Sequence, residues 1–105
     1  MDSFKVDIRK IASVPGAILM TPTPIDLSKP HLPETVDDAL YAQAVRDVAA
    51  EVKIPLVDVN AYVLALPNWQ TLLVDGVHPS SALYASIYAQ VVPVVQAKVD
   101  ALACR

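Results

Sequence analysis

The stretch with the sharpest chemical reading is Asp75-Gly76-Val77-His78-Pro79-Ser80. It sets a carboxylate three residues before an imidazole, with a glycine between them. Across such a turn the carboxylate can reach the imidazole Nδ1. It would then fix the tautomer and stabilise the imidazolium that forms when the ring takes a proton. Nε2 is left to accept that proton from a nucleophile. The competing reading is plain: Asp-Gly makes a turn, and His78 is a surface or helix-start residue. The hexapeptide alone leaves both open. A metal site is the weaker alternative, because Asp75 and His78 supply two ligands and a third must come from afar.

Other residues carry less. Asp26 follows an apolar run, at the kind of strand end where α/β sheets place ligands; a structural role such as capping competes. Asp58 lies within an apolar run and reads as a buried, hydrogen-bonded group. His31, in Pro30-His31-Leu32-Pro33, reads as a loop residue. Trp69 reads as packing, with pocket lining as its alternative. Tyr41, Tyr62, Tyr84 and Tyr88 read as helix-surface or core positions.

The elements that must position the motif follow from pattern. Asp2 or Ser3 can cap a short helix with Phe4, Ile8 and Ile11 on one face, closed by Val14-Pro15-Gly16. Ala17–Met20 is a continuous apolar run, which predicts a strand covered on both faces. Thr21-Pro22-Thr23-Pro24 stops it, and a stiff proline-bearing loop follows over 22–34. Thr35-Val36-Asp37-Asp38 resembles a capping box. Val36, Leu40, Ala44, Val48 and Val52 predict the apolar face of the next helix. Leu56–Val59 predicts a second strand. Asn60 can cap a helical segment over 61–66, and Pro67-Asn68-Trp69 a turn. Ser80 or Ser81 caps the last helix, with Leu83 or Tyr84, Ile87, Val91, Val95 and Val99 facing the core. Pro93 should kink or split it.

Composition removes several classes of function. The 105 residues are 54% hydrophobic and 18% charged, with a net charge of −3. Mean hydropathy is +0.42. Disordered, collagen-like and coiled-coil chains do not look like this. Lys5, Arg9, Lys10, Lys29, Arg46, Lys53, Lys98 and Arg105 are scattered, so no basic stripe exists to neutralise nucleic-acid phosphates. Cys104 is the single cysteine, which excludes an intrachain disulfide. The charged start Met1–Asp7 does not look like a signal peptide, and no apolar stretch reaches membrane-span length. The expectation is a cytoplasmic chain.

Helices alternating with two short strands predict α/β architecture with parallel strands. Two interior-type strands cannot form a sheet with covered faces and protected edges. The chain must pair with another or form part of a larger domain, and the second is the expectation.

The run from Tyr41 to Val92 resembles the C-terminal half of an SGNH (GDSL-type) ester hydrolase, most closely the isoamyl acetate-hydrolysing esterases. The specific part is Asp75-Gly76-Val77-His78-Pro79-Ser80, which has the form of that family's last motif. Pro55–Asn60 resembles its last-but-one strand, and Trp69–Val74 the segment leading into the triad loop. Met20–Asp26 resembles the proline-rich exit of the preceding strand. Phe4–Arg9 resembles the helix before that, so the likeness spans nearly the whole chain.

The resemblance implies a three-layer α/β/α, flavodoxin-like fold, of which residues 1–105 form the C-terminal half. It implies Asp75 and His78 as catalytic residues, a small carboxylic (acetate-like) ester as substrate, and no cofactor or metal. The family's Gly-Asp-Ser nucleophile motif, its oxyanion-hole glycine and its Gly-x-Asn-Asp motif are absent. Ser3, Ser13, Ser28, Ser80, Ser81 and Ser86 lie in no such context. The chain therefore reads as beginning just after the oxyanion-hole asparagine. The alternative is a non-catalytic remnant, or an interaction piece that self-associates through unpaired strand edges.

Overall fold

The computed structural model describes residues 2–26, 28 and 38–103. The expected capping box at 35–37, His31 and Cys104 lie outside them. Helix α1 (Asp2–Ala12) opens with Asp2 in its first turn and ends with Arg9 and Lys10 in its last, which suits the helix dipole at both ends. The Ser13 hydroxyl donates to the Lys10 carbonyl at 2.6 Å. Gly16 then takes φ +83°, the left-handed conformation that favours glycine.

Strand β1 (Leu19–Met20) lies parallel to strand β2 (Leu56–Val57), with Leu19 opposite Leu56 and Met20 opposite Val57. The expected strands were longer, 17–20 and 56–59. Proline limits both, since Pro22 and Pro55 cannot donate to a ladder. The pairing is carried by the Leu19 N–H to the Pro55 carbonyl (3.0 Å) and the Thr21 N–H to the Val57 carbonyl (3.1 Å). The edge of β1 bearing the Met20 N–H therefore faces away from β2. Met20 is 53% exposed, so β1 is not covered on both faces as its apolar run predicts.

Side chains alternate across this ribbon and feed two apolar clusters, one on each face. Leu19 joins Ala12, Val45, Val48 and Ala49, with Phe4, Ile8 and Leu56 packed against them. Val57 joins Val59, Val63, Leu73, Leu83 and Ile87, with Ile18 and Trp69 packed against them. The result is helix, sheet, helix: the α/β pattern with parallel strands that the sequence predicts, in the α/β/α layering that the resemblance implies. Helix α2 (Asp38–Val52) supplies the first face. Helices α3 (Val59–Leu64) and α4 (Ser81–Ala103) supply the second. Besides its packed side chains, α1 is joined to α2 by two ion pairs, Lys5–Asp47 and Arg9–Glu51, and by an edge-on contact of Phe4 with Tyr41 at 4.6 Å between ring centroids.

Several expected positions shift for one geometric reason. Each i+4 step advances a side chain about 40° around the helix, so a long i+4 series walks off the buried face. In α2 the buried residues are Ala42, Ala44, Val45, Val48 and Ala49, while Leu40 is exposed. In α4, Leu83 and Ile87 are buried but Val95 and Val99 are exposed. In α1 the reverse holds: the packed face follows the i+4 positions Phe4, Ile8 and Ala12, and Ile11, three residues after Ile8, is exposed. Pro93 does not split α4, which runs unbroken through it. Proline removes one backbone bond to the residue four earlier. That residue, Ala89, is exposed, so water can take its carbonyl. The cap of α3 is Asp58 rather than Asn60: its carboxylate accepts the Ala61 N–H at 3.2 Å, and Asn60 is buried in the first turn. No helix among the described residues is long and apolar enough to cross a membrane.

Candidate active site

The Asp75–Ser80 turn is pinned at both ends. Leu73 and Pro79 form an antiparallel bridge. The Val74 N–H donates to the His78 carbonyl at 2.7 Å, and the Ser80 N–H to the Leu72 carbonyl at 2.8 Å. The Ser80 hydroxyl accepts the Leu83 N–H at 3.3 Å, so α4 is capped two residues after the histidine. Trp69–Leu72, one turn of 3₁₀ helix, leads in from Asn68, which adopts a left-handed φ of 54°. A short extended segment enters the turn and a long, core-anchored helix leaves it.

Within the turn, Asp75 does three things with one carboxylate. Its Oδ1 accepts the N–H of Val77 at 3.0 Å and the N–H of His78 at 2.8 Å. Its Oδ2 meets His78 Nδ1 at 2.7 Å. Gly76 at φ +85° lets the chain fold back tightly enough for this. The His78 backbone N–H, then the His78 ring, then the Val77 N–H hold the Asp75 carboxyl well below the usual carboxylate range. Asp75 is thus an anion that orients the imidazole through Nδ1. That presents Nε2 for proton transfer, and the His78 side chain is 72% exposed. A histidine held this way can act as general base and then general acid.

Beside the turn lies a cavity of about 500 Å³, lined chiefly by apolar side chains that include Phe4, Met20, Pro22, Ile25, Tyr41 and Val77. Val77 places the Asp75–Ser80 turn on its wall. Thr21 and Pro22 place it at the C-terminal end of β1, where parallel sheets bind ligands.

The remaining candidates resolve as follows. Asp26 is buried, and its carboxylate accepts the N–H and the hydroxyl of Ser28 at 3.1 and 2.6 Å. Asp58 accepts Arg46 Nε at 2.6 Å and Arg46 Nη2 at 3.1 Å, and also the Thr21 hydroxyl at 2.9 Å. Trp69 packs against the core beside α4. Tyr62 hydrogen-bonds Ser86, Tyr41 meets Phe4, and Tyr84 and Tyr88 are exposed. No cluster of three or more metal-ligating side chains exists among the described residues.

The sequence marks Asp58 as a hydrogen-bonded group but does not give its partners or the network around it. The Thr21 hydroxyl accepts the Asn60 N–H at 2.8 Å, and Asn60 Nδ2 donates to Asp38 at 3.0 Å. This network ties both strand exits to α2. The one local hint was an acid directly after a strand and before a helix, the N-cap pattern.

No family model matches the chain. It is 35% identical to a GDSL esterase/lipase of Arabidopsis thaliana over a 100-residue alignment, which takes in 76% of this chain and 42% of the plant protein. It superposes with a TM-score of 0.77 on the crystal structure of a lipase/acylhydrolase from Enterococcus faecalis, at 22% identity, covering 94% of this chain and 52% of that one. The chain thus spans about half the length of each.

Proposed function

Since the chain belongs to the SGNH (GDSL-type) hydrolase family, we propose that it carries the His–Asp part of a serine ester hydrolase acting on small, acetate-like carboxylic esters. The observation that carries this reading is the 2.7 Å contact between Asp75 Oδ2 and His78 Nδ1. In the proposed cycle a serine hydroxyl attacks the ester carbonyl while His78 Nε2 takes its proton. The tetrahedral intermediate collapses, and the imidazolium returns that proton to the departing alkoxide. Water then repeats the sequence on the acyl-enzyme, releasing the acid and the serine. Asp75 stays ionised throughout and stabilises the imidazolium. Neither metal nor organic cofactor is needed for these steps.

The serine comes from outside these 105 residues. Four serines of the chain have other duties: Ser13 bonds Lys10, Ser28 bonds Asp26, Ser80 caps α4, and Ser86 bonds Tyr62. The apolar cavity beside Val77 suits the acyl or alcohol chain of a small ester, in keeping with the likeness to isoamyl acetate-hydrolysing esterases. The test is complementation. Alone, the chain should not turn over p-nitrophenyl acetate above background, since loss of a triad nucleophile costs on the order of 10⁶ in kcat. Joined to the serine-bearing half of a relative, it should gain activity that His78→Ala abolishes. Activity of the lone chain that disappears in His78→Ala would overturn the assignment of the nucleophile.

A second reading has its own observation. With Met20 exposed on the outer edge of β1, the sheet can accept another strand. On this reading the chain is an interaction piece that self-associates. Light scattering on the purified chain should then show oligomers; a monodisperse monomer with a cooperative melt would rule it out.

A further inference from the structure

The peptide group between Gly76 and Val77 is held from both sides. On one side the Val77 N–H donates to Asp75 Oδ1 at 3.0 Å. On the other the Gly76 carbonyl accepts the Asp26 N–H at 2.8 Å. This peptide decides the geometry of the turn. Were it to rotate, the Val77 N–H would leave the carboxylate, and Oδ2 would lose its alignment with the His78 ring. Gly76 has no Cβ to oppose such a rotation, so the bonds on the two sides of this peptide hold the conformation, one from within the turn and one from outside it.

Asp26 is the outside support. It sits 50 residues before Gly76 in the chain, at the end of the proline-bearing exit from β1. It is only 7% exposed. Its carboxylate accepts both the N–H and the hydroxyl of Ser28, an Asx-type turn that fixes the local backbone. Asp26 is thus anchored by its side chain to Ser28 while its N–H meets the Gly76 carbonyl. Pro22 and Pro24 stiffen the segment leading to it.

We propose that Asp26 is a positioning residue for the Asp75–His78 pair: through Ser28 and its own N–H it locks the Gly76–Val77 peptide, and with it the tautomer of His78. This rests on reading Asp75 and His78 as the catalytic pair. The lock acts by geometry. The carboxylate never touches the imidazole, and an amide at position 26 can accept the same two bonds from Ser28.

Nitrogen-15 NMR of the imidazole tests it on the chain as it stands, without turnover. At a pH where His78 is neutral, the wild-type ring should carry its proton on Nδ1, against Asp75, rather than on Nε2. Asp26→Ala keeps the backbone N–H but loses the Ser28 turn, so the Nδ1–H form should lose its predominance. Asp26→Asn should restore it. Ser28→Ala removes the hydroxyl bond alone and should shift the ring the same way by less, which serves if Asp26→Ala does not fold. A wild-type tautomer in both Asp26→Ala and Ser28→Ala would overturn the proposal, as would a failure of Asp26→Asn to restore the Nδ1–H form. A wild-type ring protonated on Nε2 would instead sink the catalytic pair itself, and the Asp26 role with it.

Discussion

Asp75 and Asp58 each follow a short extended segment, and each titrates below the ordinary carboxylate value. The causes differ. Asp58 is held down first by Arg46, an arginine 12 residues earlier, then by the Ala61 N–H and the Thr21 hydroxyl. Asp75 is held down by residues two and three positions after it: first by the His78 backbone N–H, then by the His78 ring and the Val77 N–H. The Asp58 carboxylate is satisfied by partners that leave little of it open: its side chain is 30% exposed. The Asp75 carboxylate spends one oxygen on its own backbone and offers the other to a ring that is 72% exposed. One arrangement welds strand exits to a helix; the other keeps an imidazole oriented and accessible. A carboxylate with a depressed pKa is thus not in itself a sign of catalysis.

The comparison makes its largest prediction in a completed domain, with the serine-bearing half supplied. His78→Ala should abolish activity. Asp75→Asn should keep the fold but leave the ring in the wrong tautomer, a loss that can reach on the order of 10⁴ in kcat. Asp58→Asn and His31→Ala should change kcat far less, even where Asp58→Asn lowers stability. Near-normal kcat in Asp75→Asn, with activity abolished in His78→Ala, would break the contrast and require another carboxylate to orient the ring.

The same contrast explains what could be read from the sequence. The Asp75–His78 contact is made by bonds between residues two and three apart, so the spacing Asp75-x-x-His78 already announces that pairing. The Asp58 network joins residues 37, 12 and 22 apart, and nothing in the local pattern of Thr21, Arg46 or Asp38 announces it. The Asp26–Gly76 bond was hidden for the same reason. Element types and their order were legible from apolar patterning. Helix faces were legible only over about two turns, before the i+4 series walked off the core. The cap of α3 was legible in kind, but Asn60 lies two residues after the acid that performs the role.

A smaller effect is expected at the Asp58 network. Arg46→Ala would leave a half-buried carboxylate with its strongest partner gone. Bonds to charged groups contribute about 1.5–3 kcal/mol, and a fully buried broken pair costs about 3–5. Both side chains here keep over a quarter of their exposure, 27% and 30%, so a loss of about 1–3 kcal/mol in urea unfolding is expected. The pH dependence has a definite sign. The folded pKa of Asp58 lies below its ordinary value of 3.8. The stabilisation it contributes is therefore complete above that value and is lost as pH falls through the lowered one. Arg46→Ala should flatten this acid limb of the stability curve. An unchanged limb would show that Asp58 is not the group titrating there.

The smallest effect should come from an arginine–carboxylate pair that looks equally good on geometry alone. Arg9 reaches Glu51 through Nε at 2.6 Å and Nη2 at 3.2 Å, a two-pronged contact much like that of Arg46 with Asp58. Its Nε distance is the same as that of Arg46. The surroundings differ: the Arg9 and Glu51 side chains are 42% and 51% exposed. Water and salt screen such a pair, and holding two long side chains in one arrangement costs entropy that offsets the attraction. The α1–α2 contact is carried instead by Phe4, Ile8 and Ala12 packing against Val45, Val48 and Ala49. Arg9→Gln should therefore leave the melting temperature unchanged within error in both low and high salt, while Ile8→Ala lowers it clearly. If Arg9→Gln lowered stability as much as Arg46→Ala, the geometry of the ion pair rather than its burial would be setting its strength, and the contrast between the two regions would rest on the wrong variable.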